Sequence, residues 1–124
     1  MNTKSNVQKV PKFEQENQFV RKSEERQDFF MVHDGVVWYL FQYICIESGA
    51  YSPGSVEMPD LITLNLGGGR WAEIHGRSLL RVLSAFHARQ IVSLELGETK
   101  DMAISAIEVN ARISRREKES QEKR

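Results

Sequence analysis

The segment Leu61 to His75, LITLNLGGGRWAEIH, constrains the fold more than any other part of the chain. Apolar and polar residues alternate on both sides of three glycines, and a period of two is what a strand with one buried face requires. Ile62, Leu64 and Leu66 share one face of the first strand, and Ala72 and Ile74 share one face of the second. Glycine takes the positive φ of a tight turn without steric cost. The pattern predicts a hairpin turning at Gly67–Gly69, with Thr63, Asn65, Trp71, Glu73 and His75 projecting from the opposite face.

Glycine-rich turns also cradle phosphates. Gly67-x-Gly69-x-x-Ala72 follows an apolar strand, and Glu95 lies about where a ribose-binding acid would be expected. That reading needs a helix from Arg70, with Gly76 in its interior at a cost of about 1 kcal/mol. It also needs a third strand–helix unit to form the crevice, and none follows. A P-loop fails twice, because Trp71 stands where the first glycine belongs and Arg77 replaces the lysine. Nucleotide binding at Gly67–Gly69 is therefore the least favoured reading.

Under the hairpin reading, Gly76 ends the second strand and Ser78–His87 forms an amphipathic helix capped by the Ser78 hydroxyl. Leu79, Leu80, Leu83 and Phe86 face the core, with Arg77, Arg81, Ser84 and Ala88 opposite. Upstream, Asp34-Gly35 separates two aromatic and β-branched runs, which points to a hairpin with a type I′ turn. Val36–Ile46 and Met102–Asn110 admit both strand and helix, and aromatic and β-branched content favours strands. SGAYSPGSVEMPD, with two prolines and two glycines, reads as a loop.

Both ends are too polar to offset their ordering entropy by burial. The expected organisation is a flexible polar arm (1–27), a single α+β domain (28–110) and a charged tail (111–124). The domain would be a mostly antiparallel sheet packed on the Ser78–His87 helix. Seventeen basic and 17 acidic residues cancel, so no net field recruits nucleic acid or an anionic membrane. A lone Cys45, a polar N-terminus and no apolar run long enough to cross a bilayer lead to the expectation of a cytoplasmic protein.

Trp71 among polar residues on a sheet face suggests a binding surface with Thr63, Asn65, Glu73 and His75, tryptophan being enriched at hot spots. The alternative is that the apolar N-terminal segment covers this face and buries Trp71. Glu73 and His75 could act as an acid–base pair, but no nucleophile motif accompanies them. The histidines, acids and cysteine lack metal-ligand spacing, so neither enzyme activity, a metal nor a cofactor is expected. The preferred reading is a small non-enzymatic protein-interaction module acting through its polar sheet face or its charged tails, with homo-oligomerisation compatible. The alternative is a nucleic-acid-binding accessory protein that uses Arg70, Arg77, Arg81 and Arg89, with Glu73 and Glu95 diluting the field.

Overall fold

A computed structural model describes residues 19–110; the rest of the expected arm and the charged tail, 1–18 and 111–124, lie outside the described residues. The chain forms a mixed α+β domain with two mostly antiparallel sheets where a single sheet is expected from the sequence. One sheet has the order β1-β7-β2-β3, built from β1 (Val20–Lys22), β2 (Phe29–His33), β3 (Trp38–Gln42) and β7 (Ile91–Leu94). The other has the order β4-β5-β6-β9-β8, from β4 (Ser48–Ser52), β5 (Asp60–Gly67), β6 (Arg70–Arg77), β8 (Gly97–Glu98) and β9 (Ala103–Asn110). The helix α1 (Leu80–His87) carries the chain from β6 back to β7.

The two sheets share one core. Ile62, Leu64 and Leu66 of β5 and Ala72 and Ile74 of β6 are buried, as the alternation predicts, and meet Phe30, Val32, Phe41, Ile91 and Leu94 of the other sheet in one apolar cluster. From α1, Phe86 stands edge-on to Phe30, with ring centroids 5.2 Å apart. Tyr43, in a 3₁₀ turn after β3, is buried beside both and donates its hydroxyl to the Ile91 carbonyl at 2.8 Å.

Gly67, Gly68 and Gly69 all have positive φ, and β6 follows as a strand, so the triplet is a hairpin turn and no helix starts at Arg70. The Gly67–Arg70 pair closes the turn after a bulge at Leu66. Residues Val36–Ile46 supply β3 and the 3₁₀ turn, and Met102–Asn110 supplies β9, so neither is an α-helix.

Several local expectations are corrected. The Asp34-Gly35 hairpin exists, but His33 pairs with Trp38, so its loop spans Asp34–Val37. The Asp34 carboxylate accepts the Val36 and Val37 amides, each at 2.9 Å, and this side-chain cap replaces the type I′ geometry. Ser48–Ser52, read as loop, pairs with β5 as an edge strand. Gly76 lies inside β6 rather than ending it, because β9 approaches so closely that a Cβ there would collide with the Ala103 carbonyl. Ser78 has φ +59 and does not cap α1. On the helix Leu80 is exposed, and Val82 and Ala85 take its place in the core. Within the stretch read as an arm, Phe19 and Val20 are buried and β1 pairs with β7, so the folded part reaches back to Phe19.

Candidate functional site

The register of the five-stranded sheet sets out its outer face in rows. Asn65, Trp71 and Asn110 lie side by side on β5, β6 and β9; Thr63, Glu73 and Glu108 form the next row, and Leu61, His75 and Ala106 the third. All five residues expected on one face, Thr63, Asn65, Trp71, Glu73 and His75, are on it. The apolar N-terminal segment packs against the inner faces instead, so it does not cover Trp71, which is half-buried. A shallow groove of about 380 Å³ runs over this face, lined by Thr63, Asn65, Gly69, Arg70, Trp71 and Glu73.

His75 and Glu73 are two residues apart on one strand, with Nε2 and Oε1 separated by 3.3 Å. Glu108 enters from β9 directly opposite Glu73, and ligand atoms of all three side chains lie within 4.8 Å of one another. Spacing along the chain could not reveal this group, because Glu108 is brought in by strand pairing. The Ser105 hydroxyl beside it donates to the His75 backbone carbonyl at 3.2 Å.

Three of the four arginines considered for nucleic acid are engaged within the domain. Arg70 folds back on the Leu66 and Gly67 carbonyls at 2.9 and 3.1 Å. Arg77 donates to the Thr99 carbonyl at 2.7 Å and lies 3.6 Å from Glu98. Arg89 sits over the Tyr43 ring, 5.3 Å from its centroid, and 3.6 Å from Asp28. Arg81 projects into solvent from α1.

A second surface is missed by the sequence reading. Phe29, Met31, Trp38 and Leu40 share the outer face of the β2–β3 hairpin, with Met31 opposite Leu40 and His33 opposite Trp38. Phe29, Trp38 and Leu40 are 47%, 46% and 62% exposed, and Val36, Val37 and Ile44 add apolar surface at the hairpin ends. The signal was present as a lack of alternation: FFMVH and WYLFQ are largely apolar at both parities, which reads as burial on both faces. One of those faces is left open.

Comparison of the chain with protein-family models, with curated proteins and with solved structures gives no significant match.

Proposed function

We propose that this domain is a non-enzymatic protein-interaction module that docks a protein partner on the outer face of the β2–β3 hairpin. One observation carries the reading: a contiguous set of large apolar side chains lies exposed on an edge of the four-stranded sheet. Isolated exposed apolar residues are ordinary, but a contiguous set flanked by polar groups is the mark of a contact surface. β3 has no hydrogen-bonded neighbour on its outer side among the described strands. Its sequence WYLFQ contains neither lysine nor proline, the residues that protect edge strands from pairing. A partner strand could add to this edge while Trp38 and Leu40 act as anchors. The polar face around Trp71 supports a second contact surface, because its groove is lined by one large aromatic ring together with the polar side chains of Thr63, Asn65, Arg70 and Glu73.

The test is quantitative capture of partners by the full chain as bait, beside Leu40→Glu and Trp71→Ala. Leu40 is exposed, so its replacement should leave the melting temperature nearly unchanged. Loss of the captured protein with Leu40→Glu supports the hairpin face. Selective loss with Trp71→Ala transfers the function to the polar face. Light scattering shows whether the partner is a second copy, since a dimer would then fall to a monomer with Leu40→Glu.

A further inference from the structure

We infer that the outer face of the five-stranded sheet binds a divalent transition ion of the zinc class through Glu73, His75 and Glu108. This site lies on a different sheet from the hairpin surface and does not depend on it. The residues supply one imidazole nitrogen and carboxylate oxygens from two adjacent strands, held on one face by a continuous antiparallel ladder. At zinc bond lengths of about 2.0–2.2 Å, neighbouring ligand atoms of a tetrahedron lie roughly 3.4 Å apart. Glu73 and His75 already stand at 3.3 Å. The wider spread of the set, within 4.8 Å, can close by rotation of Glu108, whose side chain is exposed and free to change rotamer.

The electrostatics favour a cation at the same point. Glu73 and Glu108 are directly opposite across the β6–β9 pair, an arrangement of like charges that destabilises a sheet. Among the described residues neither carboxylate has a lysine or arginine within ion-pair distance; the His75 ring nitrogen, 3.3 Å from Glu73, is the one basic group beside them. A divalent ion would replace this repulsion with two attractions. Carboxylates alone suit magnesium or calcium, and the imidazole shifts the preference to zinc and its neighbours in the transition series. Three protein ligands leave a coordination position open toward solvent, where water completes the shell.

Calorimetric titration of the full chain with zinc chloride tests the site, with magnesium chloride as comparison. One zinc per chain is expected, with binding weakened at least about tenfold by His75→Ala and by Glu108→Gln, as loss of a ligand demands. His33→Ala and His87→Ala should leave it unchanged. Zinc should raise the melting temperature of the wild type, and not of His75→Ala, because a ligand that binds only the folded state stabilises it. Circular dichroism without metal checks that each variant folds, and the conservative Glu108→Gln retains the test if His75→Ala does not. Absence of saturable zinc binding, or binding that survives both ligand substitutions, would overturn the assignment.

Discussion

The Asp60 carboxylate on β5 accepts the Leu79 amide at 3.0 Å, supplying from another element the cap that α1 lacks in its own sequence. The same carboxylate accepts the Gly54 amide at 2.8 Å and the Tyr51 hydroxyl at 3.0 Å, tying the loop after β4 to the helix start. These bonds, led by that from Leu79, hold the Asp60 carboxyl below the usual aspartate range. A carboxylate with a depressed folded-state pKa stabilises the fold above its unfolded value, about 3.9, and loses that contribution as pH falls through the folded value. Asp60→Asn should cost about 1–2 kcal/mol at pH 7, the scale of a lost cap. The difference from wild type should shrink toward pH 3, as measured by urea denaturation at both values.

Ser78 gives the complementary test. Its φ of +59 is strained for a residue with a Cβ, and the helix cap uses no hydroxyl from it. Ser78→Gly should therefore be neutral or stabilising by up to about 1 kcal/mol, the left-handed penalty relieved. A loss of that size would restore Ser78 as the cap. Thermal denaturation of the single variant decides the sign.

The glycines of β6 and its turn should differ in sensitivity. Gly68 has φ +65, and a Cβ there would meet nothing nearer than Arg70 Nε at 4.0 Å, an ordinary contact, so Gly68→Ala should cost about 1 kcal/mol from backbone conformation alone. Gly76→Ala must push β9 away at the Ala103 carbonyl, and should cost about 3 kcal/mol, the upper end of overpacking. Chemical denaturation of the pair should give that order.

Burial, opposed in part by the bond to Ile91 and by Arg89, drives the Tyr43 hydroxyl far above the ordinary tyrosine range. The sign is opposite to that at Asp60. The folded state keeps the proton while the unfolded chain releases it near pH 10, so stability falls as pH rises past that value. Tyr43→Phe should remove this alkaline slope, and should cost about 1–3 kcal/mol at pH 7 by leaving the Ile91 carbonyl without its donor. Denaturation at pH 7 and pH 10.5 measures both effects.

What was legible in the sequence was local. The alternation about Gly67–Gly69 placed Trp71, Glu73, His75, Thr63 and Asn65 on one face, because strand period and turn chemistry operate within a dozen residues. Non-local pairing was invisible. Nothing near Ser48–Ser52 announces an edge strand, and Phe19 and Val20 join the core at the point where β1 pairs with the distant β7. Glu108 joins Glu73 through the β6–β9 register, 35 positions away in the chain. The helix start is not legible locally because Asp60 caps it from β5, a relation no capping motif contains. The hairpin's apolar outer face was hidden for a different reason: composition can show that both faces are apolar, but not that one stays uncovered.

Site-specific photo-crosslinking tests the central claim most directly. A benzophenone side chain placed at Leu40 samples the outer face of β2–β3, at Thr63 the polar face of the five-stranded sheet, and at Arg81 the exposed side of α1. A protein adduct formed from position 40, and absent from position 81, is the result expected of a docking hairpin. Adducts from position 63 or 81 without one from position 40 would contradict it.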